Sequence, residues 1–354
     1  MSRFFSSKYA RLVPYTPGEQ PKGMEYIKLN TNESPFPPSK KAQEYAKAAA
    51  EKLELYPDPE CRELTKAVAD TLGVAYDEIL LTNGSDEILN FAFMAYCDST
   101  HPAVFPDITY GFYPVFAEIN NIPYEEIPLK SDFTIDINDY LGINKTIFIA
   151  NPNAPTGIAL SVSEIEKVIA SNPDSVVVID EAYVDFGNES CVPLIHKYDN
   201  LLVTQTFSKS RSMAGARLGF GVGSKALIED LNTIKYSTNP YNINRMTMAA
   251  GLGVMEDEAY TKANCQTIME NRSFTENELK NLGFSMTKSG ANFIFVKHNE
   301  LDGQELYQKL KDNGILVRHF NRPEIAQYNR ITIGTRNQMQ KLVDTIKNIL
   351  EGQK

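Results

Sequence analysis

The chain has 354 residues, 42% hydrophobic and 23% charged, an ordinary globular composition that gives a substantial core, split between two domains. That balance excludes disorder and collagen-like architecture. The formal net charge of -10 disfavours a general nucleic-acid binder, because holding a phosphate backbone needs a concentrated positive surface and no Lys/Arg block supplies one.

The first thirty residues are rich in Pro and Gly and read as an arm rather than a folded unit. They lack the apolar core of a secretory leader, and no later stretch approaches the length of a membrane span. A cytoplasmic protein that makes no membrane contact is therefore expected. From about residue 60, amphipathic helices alternate with short apolar strands, the pattern of a mostly parallel sheet covered on both faces. The spacing predicts a helix over 63–72, a strand over 79–82, a turn at Asn83-Gly84-Ser85 and a helix over 86–96. Strands over 146–150, 176–180 and 201–204 follow, with a helix over 162–170 linking the first two. After Tyr241 the pattern changes to a long helical stretch over 245–282, a strand over 293–296, a helix over 303–313, strands over 315–318 and 330–333, and a final helix. The expected organisation is an arm over 1–27 associated with the small domain, a large three-layer αβα domain over 28–244 and a smaller α+β domain over 245–354.

Polar residues gather where the strands end, which is where ligands collect on open parallel sheets. Gly84-Ser85-Asp86 closes one strand and opens a helix, so its backbone N–H groups suit a phosphate; they suit a plain N-cap as well. Asn151-Pro152-Asn153-Ala154-Pro155-Thr156-Gly157 closes the next with rigid turn residues, and Asn153 has a side-chain N–H to offer. Asp180 ends four apolar residues, where a carboxylate needs a partner: a protonated pyridine nitrogen, an N-cap or a salt bridge would serve. Lys209, in Thr206-Phe207-Ser208-Lys209, follows a buried strand, and partial desolvation favours the neutral, nucleophilic amine that forms Schiff bases. Arg330 and Arg318 sit on the last strands as anion clamps or salt-bridge partners. Four cysteines and four histidines show no metal-ligand spacing, so neither a metal site nor a disulfide framework is expected.

In order along the chain these segments, with Pro14-Tyr15, Asn30-Thr31-Asn32-Glu33, Tyr56-Pro57-Asp58-Pro59, Thr109-Tyr110-Gly111-Phe112-Tyr113, Asp180-Glu181-Ala182-Tyr183 and Arg217, resemble the fold-type I pyridoxal-phosphate aminotransferases, and within them the histidinol-phosphate aminotransferase family. The resemblance implies pyridoxal 5'-phosphate as cofactor, with Lys209 carrying the internal aldimine and moving the substrate proton. It implies Asp180 on the ring nitrogen, Asn153 and Tyr183 on the phenolic oxygen, and Tyr110 stacked on the ring or built into the core. The phosphate would lie on the Ser85 and Asp86 amides, the Thr206 and Ser208 hydroxyls and Arg217, with Tyr56 reaching it from the partner of a homodimer. Tyr15, Asn32, Tyr241, Arg318 and Arg330 would bind substrate. The implied reaction is ping-pong transfer of the amino group of L-histidinol phosphate to 2-oxoglutarate, a step of histidine biosynthesis. The alternatives are an aromatic amino-acid aminotransferase, a threonine-phosphate decarboxylase, or a catalytically silent binding protein on the same scaffold.

Overall fold

The computed structural model describes residues 2–10, 12–20 and 25–352. Its central sheet has seven strands, in the order Ile79–Thr82, Gly219–Gly223, Leu201–Thr206, Val177–Asp180, Thr146–Ala150, Ala103–Pro106 and Tyr124–Ile127. All neighbours pair in parallel except Gly219–Gly223, which runs antiparallel to both strands beside it. The inner strands are buried at every position because helices cover both faces, and they are largely apolar until they near the carboxyl edge. Ile147, Ile149, Val177, Ile179, Leu201 and Val203 enter one core, and their alternates Phe148, Val178 and Leu202 enter another.

Strand direction positions the site. Thr82, Ala150, Asp180 and Thr206 all lie at the carboxyl edge, and the antiparallel strand begins there, with Gly219 in register with both Thr82 and Thr206. Arg217, two residues earlier, is thereby delivered to the same edge.

A third core lies under the four-stranded antiparallel sheet Arg318–His319, Asn329–Thr332, Phe293–His298, Phe284–Met286. The expected strand over 315–318 is divided between two sheets: Ile315–Leu316 pairs in parallel with Ile27–Lys28, whereas Arg318–His319 pairs with Arg330 and Asn329. The N-terminal segment is tied to this part of the molecule, and Leu29 is buried in its core.

The expected helix over 245–282 is two helices, Arg245–Met255 and Glu258–Asn281. Asp257 leaves helical geometry (φ -130, ψ 50), and Glu256 bonds Lys41 at 2.5 Å and Tyr45 at 2.8 Å. Arg245–Met255 packs in the core of the central sheet through Ala250 and Val254. Gly253 allows that approach, since a Cβ there would lie 2.7 Å from the Ala42 Cα. Strands Ala103–Pro106, Tyr124–Ile127 and Gly219–Gly223 and helices Lys40–Ala49 and Lys225–Thr238 were absent from the sequence-based expectation. The first three are short, exposed at the sheet edge or rich in glycine, so they carry little apolar periodicity.

Candidate functional site

Two adjoining hollows open at the carboxyl edge of the sheet. The inner one, about 110 Å³, is lined by Ser85, Asp86, Tyr110, Asp180, Tyr183, Thr206, Ser208, Lys209 and Arg217 among others. The outer cleft, about 490 Å³, shares Tyr110, Tyr183 and Lys209 and adds Tyr15, Asn32, Arg318 and Arg330. Expected residues from three strand ends, after Thr82, at Asp180 and after Thr206, thus meet in one place.

One end of the inner hollow is an anion cradle. Helix Ser85–Tyr96 starts there, and Gly84 before it has φ +76; a Cβ on Gly84 would meet the Arg217 guanidinium at 2.7 Å. Arg217 donates to Asp86 at 2.9 Å, and the Tyr110 hydroxyl donates to the other Asp86 oxygen at 2.6 Å. Thr206 and Ser208 are buried, and their hydroxyls lie 3.0 Å apart. Orphan N–H groups, a guanidinium and two hydroxyls form the donor set a phosphate requires. Gly219 closes the cradle from behind: a Cβ there would press on the Ser85 backbone nitrogen and lie 2.6 Å from the Gly84 carbonyl carbon. Gly219→Ala is therefore expected to weaken cofactor binding at least ~10-fold and to destabilise the chain by about 1–3 kcal/mol. Cofactor titration followed by fluorescence, with denaturant unfolding, checks both effects.

Asp180 stands at the other end. It accepts a hydrogen bond from the Tyr113 hydroxyl at 3.2 Å and one from the Ala182 N–H at 3.2 Å, and among the described residues no cation pairs with it. Burial raises its pKa to about 7, with the Tyr113 and Ala182 bonds opposing the shift. A buried carboxylate with no cationic partner fits a protonated ring nitrogen. Tyr113 was not singled out from the sequence, where its place in an aromatic run reads as core.

Lys209 Nζ donates to the Thr31 carbonyl at 3.2 Å and lies 5.8 Å from the centroid of the Tyr183 ring. The Tyr183 hydroxyl accepts from Asn32 Nδ2 at 2.9 Å, and Asn32, buried, also accepts from Thr332 at 3.0 Å. Asn32 is thus bonded to the protein on both ends of its amide, which suits orienting Tyr183 better than gripping a ligand. Asn153 departs further from expectation. Only 2% exposed, it turns its N–H groups to the Ile108 carbonyl at 2.9 Å and Thr156 Oγ1 at 3.0 Å, and its oxygen accepts from Thr109 at 2.7 Å. A buried amide must be satisfied, and here the protein satisfies it. Its neighbours Ala154 and Pro155 line the cleft instead.

In the outer cleft the sheet register sets Arg318 directly opposite Arg330. Like charges at such cross-strand positions repel, and among the described residues neither forms a salt bridge, Glu19 lying near Arg318 without pairing with it. Arg330 donates to the Asn30 carbonyl at 3.1 Å, leaving Nε without an acceptor; Arg318 reaches the Thr16 and Pro17 carbonyls at 3.3 and 3.4 Å. Desolvation draws the Arg330 pKa below its ordinary value. Two guanidiniums with no salt-bridge partner among the described residues suit an anion, and Tyr15, packed on Phe112 at 4.3 Å, borders them. Tyr241 and Tyr56 are not brought to this cleft: they stack on each other at 4.7 Å on the surface, 44% and 79% exposed. The resemblance implies Tyr241 as a substrate-binding residue, whereas here its ring packs on Tyr56 away from the described cleft.

The seven-stranded sheet with its carboxyl-edge hollow is the fold-type I architecture of pyridoxal-phosphate-dependent transferases. Residues 24–346 match the aminotransferase class I and II family, and the chain belongs to it. It is a pyridoxal-phosphate-dependent aminotransferase. Similar proteins include the histidinol-phosphate aminotransferase of Brachyspira hyodysenteriae, 49% identical with 99% of this chain and 100% of that one covered. Histidinol-phosphate aminotransferase 1 of Bordetella parapertussis is 48% identical, with 99% of each covered. The crystal structure of a proposed histidinol-phosphate aminotransferase from Erwinia carotovora atroseptica superposes with a TM-score of 0.85 at 29% identity, covering 93% of this chain and 97% of that one.

Proposed function

We propose that the chain transfers the amino group of L-histidinol phosphate to 2-oxoglutarate, as a cytoplasmic step of histidine biosynthesis. The observation that carries the reading is the Arg318–Arg330 set, without a salt bridge among the described residues, in the cleft that Lys209 also lines; near-half identity to relatives of that name supports it. Donor and acceptor both present an anion close to the reacting centre, so one guanidinium pair serves both half-reactions.

The Ser85 and Asp86 amides, the Thr206 and Ser208 hydroxyls and Arg217 would hold the cofactor phosphate, with Asp180 at the ring nitrogen, Tyr183 at the phenolic oxygen and Tyr110 against the ring. Bound there, pyridoxal 5'-phosphate supplies the electron sink for negative charge at the substrate carbon. Lys209 Nζ takes the substrate Cα proton and returns it. Tyr113 and the Ala182 N–H favour the ionised form of Asp180. Asn32 orients Tyr183, and Asn153 braces the turn that shapes the cleft wall.

Arg330→Ala is expected to raise KM for histidinol phosphate and 2-oxoglutarate by about 10²-fold with a smaller change in kcat. Steady-state kinetics on both substrates test it, and an unchanged KM for both sinks the anion-clamp assignment.

The functional unit in this reading is a homodimer. Leu53, Leu55, Tyr56 and Tyr241 are exposed apolar side chains near the Tyr56–Pro59 loop, as a surface that reaches a partner's site requires. In this reading the domain division falls after Met255, supported by Ala250 and Val254 in the core of the central sheet, and residues 27–29 go with the C-terminal unit, supported by the Ile27–Ile315 pairing and by Leu29 in its core.

A further inference from the structure

The residues that follow Lys209 are held by a network that neither cofactor binding nor proton transfer accounts for. The loop from Phe207 to Leu218 is closed by the Phe207 N–H on the Leu218 carbonyl at 2.9 Å and the Met213 N–H on the Phe207 carbonyl at 2.9 Å. Inside it Arg211, with only 11% of its side chain exposed, lays its guanidinium over Phe207 at 5.0 Å and Phe220 at 5.9 Å. Its NH1 donates to Asp185 Oδ2 at 3.2 Å, and the same oxygen accepts from the Ser210 hydroxyl. Asp185 thus grips two consecutive residues beside Lys209, and it sits two positions after Tyr183, in the turn Val184–Phe186. On the other side Ser212 bonds Ser34 at 2.8 Å, in the segment that gives Thr31 O to Lys209 and Asn32 to Tyr183.

An exposed ion pair contributes little to stability. This one is different in kind: the guanidinium is stacked on two rings, and loss of the Asp185 charge strands Arg211, only 11% of whose side chain is exposed, although Asp185 itself keeps 33% of its side chain in solvent. It also joins the two segments whose side chains meet at the reacting centre.

We propose that Asp185 and Arg211 are positioning residues of the transfer reaction, locking the Lys209 loop against the Tyr183 segment and so fixing Lys209 Nζ relative to the Tyr183 hydroxyl. The proposal rests on the Lys209 assignment. A displacement near 1 Å at such a pair costs about 10²-fold in rate, whereas the arginine subsite and the helix start at Ser85 lie on other elements and are untouched.

The test compares Asp185→Asn, Arg211→Ala and Arg211→Lys with the parent chain. Three quantities are read: kcat and KM with histidinol phosphate and 2-oxoglutarate, the rate at which apoprotein develops its visible band on addition of pyridoxal phosphate, and the melting temperature of each apoprotein. Asp185→Asn and Arg211→Ala are expected to lower kcat and the rate of band formation by roughly 10- to 100-fold, with KM for both substrates within about 3-fold. Arg211→Lys, which keeps the charge and a donor, recovers most of both rates. Parent-like rates in Asp185→Asn and Arg211→Ala overturn the proposal, and so do losses that follow melting temperature and are not recovered by Arg211→Lys. A parent chain that develops no band fails the Lys209 assignment instead, before any variant is compared.

Discussion

Replacing Lys209 with alanine is expected to abolish amino transfer, lowering kcat/KM at least ~10³-fold, while the protein still binds pyridoxal 5'-phosphate. Lys209 is the only lysine lining either hollow among the described residues, so no second amine stands ready to take the proton. The groups assigned to the phosphate, Ser85, Asp86, Thr206, Ser208 and Arg217, remain in place because they belong to a helix start and to other positions along the edge. Cofactor affinity should consequently change far less than the rate. Single-turnover mixing with histidinol phosphate, alongside a cofactor-binding titration, separates the two. Parent-like turnover in Lys209→Ala refutes the assigned role.

Asp180 should produce the second large effect, with a signature in stability as well as rate. Asp180→Asn is expected to lower kcat by about 10²–10³-fold, since a preorganised charge opposite the ring is lost. The apoprotein gives an independent readout. The folded pKa of Asp180 is raised to about 7, against about 3.9 in an unfolded chain. Between those values the unfolded chain has released the proton and the folded one keeps it, so stability falls as pH rises from near 4 to near 7 and then levels. This is the reverse of a salt-bridged carboxylate. A shift of that size corresponds to at most on the order of 4 kcal/mol. Burial raises Glu181 to about 6 against the hydrogen bonds from Cys191, Ser190 and Gln205, and it acts in the same sense over a lower window. Urea unfolding of apoprotein from pH 4.5 to 8 should therefore show a decline whose upper part, between about pH 6 and 7, disappears in Asp180→Asn.

Much of this site was legible because strand ends reveal themselves. A run of four apolar residues ending in Asp180, or a buried strand followed by Ser208-Lys209, places a costly polar group where only a partner justifies it. The ordered motifs added the cofactor. Hidden from that reading was everything that depends on which elements meet in space. Tyr113 reads as core until its hydroxyl is found on Asp180, 67 positions away. Gly219 belongs to a strand with three glycines, and only the antiparallel register brings it against Ser85. Asn153 carried the right chemistry in the right turn, yet Ile108 and Thr156 claim its N–H groups. The single strand expected over 315–318 could not show its own division. That division is what sets Arg318 across from Arg330.

The arginine pair also separates the substrates. Phenylalanine brings an aromatic ring and a carboxylate; histidinol phosphate brings an imidazole and a phosphate ester. Two guanidiniums with no salt bridge among the described residues are better matched by the larger, doubly charged anion. The most direct measurement is therefore to mix the cofactor-loaded enzyme separately with histidinol phosphate, phenylalanine and phosphothreonine, following loss of the visible band to the amine form and any release of carbon dioxide. The structure predicts rapid conversion with histidinol phosphate, much slower conversion with phenylalanine, and no carbon dioxide from phosphothreonine. Rapid conversion with phenylalanine alone, or decarboxylation of phosphothreonine, would contradict it.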